Sequence, residues 1–441
     1  MKTSISFRHI NKLAVPAIVA GIAEPILSAT DTAVVGNIPI NGTESLAAVG
    51  IVGTFLSMLI WILAQTRSAI SAIISQHLGA GRIAEVKTLP AQAIAFNIGL
   101  SLLVLVSTIP FIPQIFMLLK AEGIVLDYCI SYYSIRVWGF PLTLFTFAIF
   151  GIFRGLQNTF WPMVISLVGV VVNIILDFAL VYGIEGLFAG MNLEGAAWAS
   201  LIAQAVMAVM SFILLLKKTE VSLKIHTTWH PEMNRLIIMT LNLFVRSVAL
   251  NFALILAVRE ATALGTDVIA AHTIGIQIWL FTAFFIDGYG AAGNILGGKL
   301  LGARDFIALN RLTKRITIYG LVVSLFLGIL GLLGYNFLGT IFSSDEKVLT
   351  IFASFFYIVL FTLPFSAIAF VLDGLFKGLG EMGYLRNVLL ASTFLGFLPV
   401  LLMGKYLNWG IQGVWTALVV WIAFRGAALV VKFKKKYAAA Y

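Results

Sequence analysis

The sequence predicts an all-α polytopic membrane protein of about twelve transmembrane helices, in two six-helix bundles related by a pseudo-two-fold axis along the membrane normal. Three observations carry this expectation. Hydrophobic residues make up 60% of the 441 and charged residues only 11%, whereas soluble domains are nearer half apolar and a quarter charged. The apolar stretches run past the roughly 20 residues that cross a bilayer as a helix and lack the short alternation of a membrane barrel. Finally, the chain repeats itself at one fixed spacing.

Taken in order, the expected spans are 10–37, 46–77, 88–117, 124–153, 161–184, 194–216, 233–260, 267–298, 309–341, 348–376, 385–406 and 410–431. The first contains Pro16 and Pro25, each of which removes a backbone hydrogen bond and invites a bend. It is too long for a signal peptide and shows no clear cleavage site, so it is expected to be retained. With the N-terminus inside, the connections that follow even-numbered spans, together with both ends, place Lys2, Arg8, Lys12, Arg82, Lys87, Arg154, Lys217, Lys218, Lys224, Arg235, Lys299, Arg304, Arg311, Lys314, Arg315, Lys377, Arg386, Arg425, Lys432, Lys434, Lys435 and Lys436 on the cytoplasmic side. The outer side receives only Lys120, Arg259, Lys347 and Lys405. This asymmetry puts both termini in the cytoplasm. The net charge of +10 then reflects topology and anionic lipid headgroups, and nucleic acid is not an expected partner. The single cysteine, Cys129, excludes an internal disulfide and reads as a small apolar side chain.

The repeat divides the chain. Leu46-Ala47-Ala48-Val49-Gly50 returns as Ile269-Ala270-Ala271-His272-Thr273, Leu78-Gly79-Ala80 as Leu301-Gly302-Ala303, and Phe153-Arg154-Gly155-Leu156 as Phe376-Lys377-Gly378-Leu379, with 269 − 46 = 301 − 78 = 376 − 153 = 223. The expected organisation is an N-terminal lobe 1–217, a polar cytoplasmic linker 218–232 and a C-terminal lobe 233–441. Duplicated bundles of this kind place substrate between halves that alternate in access.

These residues carry a family resemblance. Pro16, the run Asp31-Thr32-Ala33-Val34-Val35-Gly36, Arg154-Gly155, Asn173-Ile174-Ile175-Leu176-Asp177 and Gly195-Ala196-Ala197-Trp198-Ala199-Ser200 resemble the multidrug and toxic compound extrusion family. Asp287-Gly288-Tyr289 and Asp373-Gly374-Leu375-Phe376 resemble its DinF-like branch more narrowly. The resemblance spans essentially the whole chain. It implies a proton or cation site at Asp31, Asn173, Asp177 and Ser200, the last standing where many members carry Thr. It also implies a first helix that changes shape with protonation, although a fixed kink fits the two prolines as well.

The residues support the same site independently. Asp31 and Asp177 lie in stretches otherwise suited to lipid, where ionisation is expensive. Asn173 and Asp177 are four apart and share one helix face. Asp177 lies roughly 21 Å above the start of its helix at 1.5 Å per residue, and Asp31 falls at a similar depth. The 223-residue shift takes Asp31 to Leu254, and the stretch Leu395 to Val400 that matches Asp177 holds no acid, so the chemistry belongs to one lobe. Two close carboxylates in a dry pocket do not both ionise cheaply, which suits uptake and release of a proton; a bound Na⁺ would satisfy the same oxygens. The alternative is a static acid pair that specifies helix packing.

Further intramembrane charges are Glu24, Arg67, Arg246 and Asp287. Across a cleft they would pair as Arg67–Asp287 and Glu24–Arg246 and gate one side; an Arg246–Asp287 pair within the C-terminal lobe is the competing arrangement. Asp373 and Lys377, four apart near a helix end, are expected to form a surface ion pair. Arg136 either reaches a polar cleft or pairs with Asp127. His272 is expected as a lining or packing residue, and His226 and His230 are too isolated to hold a metal.

Arg154-Gly155-Leu156-Gln157-Asn158 and Lys377-Gly378-Leu379-Gly380 are turns and lack the Gly-rich loop that ends in Lys and Ser or Thr. Neither ATP coupling nor an enzyme activity is expected, and no cofactor beyond H⁺ or Na⁺ as coupling ion. The expected function is a secondary antiporter exporting amphipathic, cationic organic compounds from the cytoplasm of a bacterial-type cell through its inner membrane. Its partners would be such small molecules and membrane lipids, with the chain acting as a monomer. The nearest alternative is a lipid or glycolipid flippase of the same wider superfamily, whose members more often carry extra helices and cationic cavities.

Overall fold

The structure is a computed structural model that describes residues 5–38, 41–224 and 228–438, apart from the side chains of Glu24 and Ala438. Its helices are α1 Phe7–Gly36, α2 Gly42–Leu63, α3 Thr66–Gly79, α4 Leu89–Thr108, α5 Ile112–Leu118, α6 Gly123–Arg136, α7 Gly139–Gly155, α8 Phe160–Tyr182 and α9 Asn192–Lys218. Beyond the linker come α10 Pro231–Ala263, α11 Thr266–Gly302, α12 Phe306–Leu333, α13 Glu346–Gly378, α14 Met382–Ala391, α15 Leu398–Tyr406 and α16 Gly410–Phe433. Eleven helical segments among the described residues are long and apolar enough to cross a membrane, and the bent pair α6–α7 makes a twelfth. The protein is thus a multi-pass membrane protein. Among the described residues, strand structure is confined to a hairpin between α8 and α9, where Gly183 pairs with Ala189 and Ile184 with Phe188.

The duplication is visible in the backbone. Helices α3 and α11 end at Gly79 and Gly302, and α7 and α13 at Gly155 and Gly378, so 302 − 79 = 378 − 155 = 223. The turns that follow hold left-handed residues at the same spacing: Gly81 (φ 73°) and Arg304 (φ 55°), then Gln157 (φ 65°) and Gly380 (φ 79°). Contacts obey the symmetry too. A Cβ on Gly79 would lie 1.8 Å from the Lys299 carbonyl oxygen, and one on Gly302 would lie 1.9 Å from that of Gln76, where 76 + 223 = 299 and 79 + 223 = 302. Reciprocal contacts of this form are what a two-fold axis produces. One difference is instructive. The helix matching α13 is broken by 46° into α6 and α7, although Pro141 and Pro364 occupy equivalent positions (364 − 141 = 223); α13 continues unbroken through its proline.

Two compact units emerge from the packing. One comprises the described residues of Met1–Ile18, Ser75–Gly81 and Ile238–Tyr441; the other comprises Val19–Ile74 and those of Arg82–Ile237. In the first, α11 and α13 approach until a Cβ on Gly374 would sit 2.2 Å from the Gly290 carbonyl oxygen, and one on Gly378 would sit 2.2 Å from that of Asn294. Small residues four apart permit such contact between membrane helices. Neither backbone can yield, so Gly374→Val is expected to destabilise this unit by at least the roughly 1–3 kcal/mol of an overpacked core. Loss of the monodisperse elution peak in detergent would report it, and a normally behaved Gly374→Val protein would disprove the close approach.

The linker is strapped down within the second unit. Ser222 N donates to Lys87 O at 3.2 Å, Gln92 Nε2 to Thr228 O at 2.8 Å and His230 N to Gln92 Oε1 at 3.0 Å, while a His230 ring nitrogen meets Glu85 O at 3.0 Å. His230 serves as a fastener for the linker; His226 lies outside the described residues.

Candidate functional site

The site of interest lies where α1, α8 and α9 meet within the second unit. Small residues let α8 and α9 close on each other: a Cβ on Gly195 would be 2.5 Å from Leu180 O, and one on Gly169 would be 2.3 Å from Met207 Sδ. Tyr182 Oη donates to Val34 O at 2.7 Å, fixing α1 against the end of α8. Each interface also delivers a polar side chain to the interior. Asp31 comes from α1, Asn173 and Asp177 from consecutive turns of α8, and Ser200 from α9; all four are at most 4% exposed.

The four residues form one hydrogen-bonded cluster. Asp31 and Asp177 are both reached by the Asn173 amide, and Ser200 Oγ lies 3.0 Å from Asp31 Oδ2. The Asn173 amide is best satisfied with its nitrogen donating to Asp31 Oδ1 and Asp177 Oδ2, each at 3.2 Å, and its oxygen accepting from Ser200 Oγ at 3.2 Å. That orientation has a consequence for proton count. A serine hydroxyl owns one proton. If Ser200 donates it to Asn173, then the contact with Asp31 Oδ2 requires Asp31 to supply a proton; if Ser200 donates to Asp31 instead, the Asn173 oxygen loses its donor. These contacts are therefore satisfied only while the carboxyl groups hold at least one proton. Among the described residues Asp177 Oδ1 has no hydrogen-bond partner.

Two residues beside the site were not assigned to it by the sequence. Tyr132 on α6 is 2% exposed, and its surroundings are charged by Arg136, Asp31 and Asp177. Arg136 stands one turn further on, its Cζ 5.9 Å from the Tyr132 ring centroid. Its charge acts on both carboxylates, and its Nε and Nη1 have no hydrogen-bond partner. Depth agrees: Ser131 Oγ donates to Glu194 Oε1 at 2.6 Å, and Arg136 and Ser200 lie roughly 7.5 and 9 Å beyond that pair along their helices. Of the expectations for Arg136, the polar environment is found, and an ion pair with Asp127 is not formed among the described residues. The i, i+4 spacing of Tyr132 and Arg136 was the signal available.

The expected gate charges fare differently. Arg67, half-buried on α3, stacks its guanidinium 5.3 Å from the Phe147 ring centroid, and Asp287 is exposed on α11. The Glu24 side chain lies outside the described residues. Arg246 does not pair with Asp287: its Nη2 is 2.6 Å from Asp373 Oδ1 within the first unit. Asp373 is accordingly no surface acid. It is 6% exposed and also holds Lys377 at 3.0 Å. Arg425, expected among the cytoplasmic cations, is 3% exposed inside α16. His272 is buried against Trp415, ring centroids 5.6 Å apart, and buried Cys129 is unpaired. A cavity of about 580 Å³ in the second unit, lined by Val86, Lys87, Pro90, Lys217 and Lys218 among others, takes no part in either cluster.

The chain matches the MatE family model over residues 16–179 and 243–402. Protein DETOXIFICATION 43 of Arabidopsis thaliana is 30% identical over 295 residues, which is 67% of this chain and 54% of the relative. The chain thus spans about half the length of that relative. DNA damage-inducible protein F of Escherichia coli (strain K12) is 26% identical over 430 residues, covering 96% of this chain and 91% of that protein. Among solved structures, the Vibrio cholerae MATE transporter VcmN in its bent form superposes with a TM-score of 0.89 at 19% identity, covering 98% of this chain and 97% of its own.

Proposed function

Because the chain belongs to the MatE family, the multidrug and toxic compound extrusion transporters, we propose that it is a secondary antiporter exporting amphipathic organic compounds, cationic ones among them, driven by inward H⁺ flow. The coupling site is Asp31, Asn173, Asp177 and Ser200. One observation carries this reading: two buried carboxyl groups are bridged by one Asn173 amide, in a cluster whose bonds close only when a proton is present. Losing that proton leaves charge in an apolar interior, so the deprotonated cluster favours a more hydrated arrangement. Binding from outside and release inside then alternate with the exposure of the substrate path. Na⁺ is the competing coupling ion, since carboxylate, amide and hydroxyl oxygens suit it equally.

In this reading the protein works as a monomer in a bacterial-type plasma membrane with both termini in the cytoplasm. The test is dye efflux from vesicles under an imposed pH gradient, with and without Na⁺, for wild type and Asp31→Asn. Wild-type efflux is expected to follow the pH gradient without Na⁺, and Asp31→Asn to lose at least tenfold of it. Efflux indifferent to both gradients, and equal in the mutant, would end the antiporter reading. Lipid or glycolipid flipping is a second reading, favoured by the buried cations around Asp373.

A further inference from the structure

The first unit holds a charge imbalance that its described residues do not close. Asp373 faces three cations: Arg246 Nη2 at 2.6 Å and Arg425 Nη2 at 3.9 Å from Oδ1, and Lys377 Nζ at 3.0 Å from Oδ2. One negative charge thus meets three positive ones, contributed by α10, α13 and α16. Among the described residues no other acid of the unit forms an ion pair with these three cations. Glu381 is engaged by Lys436 and by Tyr437 Oη, and Asp287 is exposed on α11. Arg386, a further cation on α14, donates to Asn242 Oδ1 at 2.7 Å, one turn before Arg246 on α10.

Arg425 is the residue that needs explaining. At 3.9 Å its guanidinium is too far from Asp373 to be hydrogen-bonded. It lies 5.1 Å from the Trp421 ring centroid and 5.6 Å from that of Phe370, and its Nη1 has no hydrogen-bond partner, nor has Nε of Arg246. A structural ion pair would need one cation per carboxylate. A buried cation beyond that number is costly, and an ionisable group inside a membrane helix marks a functional site by default.

We propose that Arg246, Lys377 and Arg425 around Asp373 form a binding site for the oxyanion of an organic ligand, a carboxylate or a phosphate group. The guanidinium forks offer the paired donors that planar oxyanions take. Phe370, half-buried and 5.6 Å from the Arg425 guanidinium, offers aromatic surface to the apolar body of such a ligand, while Trp421 is fully buried. Lys377, whose side chain keeps 13% of its surface open, marks the accessible side. The occupant's source is a carboxylate-bearing cargo or the phosphate of a membrane lipid. The first would extend the cargo proposed above to amphipathic organic anions, and rests on that reading; oxyanion binding itself does not.

The experiment is thermal stabilisation of the full-length protein in detergent by three molecules sharing one ring: benzoate, neutral benzamide and cationic benzamidine, each titrated through the low millimolar range at matched ionic strength. Saturable stabilisation by benzoate alone is expected, with at least a tenfold weaker apparent affinity in Arg425→Gln and an intermediate one in Arg425→Lys. A second arm adds phosphatidylglycerol or phosphatidylcholine to the micelles. Stabilisation by the anionic lipid, competed by benzoate, supports the same site and assigns the lipid as its source; benzoate binding without that competition assigns a soluble cargo. Equal responses to benzoate and benzamide, together with indifference to lipid charge, overturn the proposal. The wild-type comparison decides this even if the Arg425 variants fail to fold. Failure of gradient-driven dye efflux would leave the binding result standing, so the two readings fall separately.

Discussion

Asp373→Asn is expected to be the most destabilising neutralisation in the first unit, costing about 3–5 kcal/mol, the range found when one partner of a buried ion pair is removed. The asymmetry of the cluster is the reason. Neutralising Arg246 or Lys377 leaves Asp373 with two cations, whereas neutralising Asp373 leaves three cations facing one another with no counter-charge. Asparagine preserves shape and one acceptor, so little of the loss would come from packing. Removing a cation along with the acid should restore part of the stability, so Asp373→Asn with Arg246→Gln is expected to melt above Asp373→Asn alone. The check is the apparent melting temperature of the purified protein in detergent for the wild type, the three single variants and the double variant. If Asp373→Asn melts with the wild type, the carboxylate is not what holds these cations.

Much of this architecture could be read from one dimension. Apolar runs and the 223-residue spacing are linear properties, and the backbone repeats them in helix ends at Gly79 and Gly302 and in left-handed turns at Gly81 and Arg304. The acidic site was legible for the same reason, because Asn173 and Asp177 share a helix face whatever else the fold does, Asp31 stood out as an acid in a stretch otherwise suited to lipid, and Ser200 followed from the family pattern. Partner choice among long cationic side chains was not legible. Arg425 and Lys377 fit a count of cytoplasmic charges, yet flexible stems of several carbons let them reach inward to Asp373. Arg246 had two acids proposed for it and took a third, Asp373. Arg136 was left between a polar cleft and Asp127, since nothing in the spacing of α6 says which acids stand on α1 and α8. The break between α6 and α7 was equally hidden, because the matching proline in α13 leaves that helix uninterrupted.

Within the acidic site, Asp177→Asn is expected to abolish gradient-driven efflux by at least tenfold, whereas Ser200→Ala should weaken it no more than severalfold. The hydrogen bonds give the reason for the difference. Asp177 contributes a carboxylate oxygen to the Asn173 amide that also reaches Asp31, and it is completely buried. An asparagine there keeps the volume but brings a permanent N–H donor towards Asp31, which imitates the protonated site and removes the reason for a proton to come and go. The protein should still fold and bind cargo, because the imitated state is the bonded one. Ser200→Ala removes a single hydrogen bond, worth about 1 kcal/mol, and leaves both exchangeable carboxyl groups in place. Measured together, gradient-driven efflux and cargo binding separate the two effects: Asp177→Asn should lose the first and keep the second. An Asp177→Asn transporter that responds to the pH gradient within about twofold of wild type would show that the proton held at Asp31 and Asp177 is a packing device, since a coupling group deprived of its titration costs far more than the ~1.4 kcal/mol that separates tenfold rates.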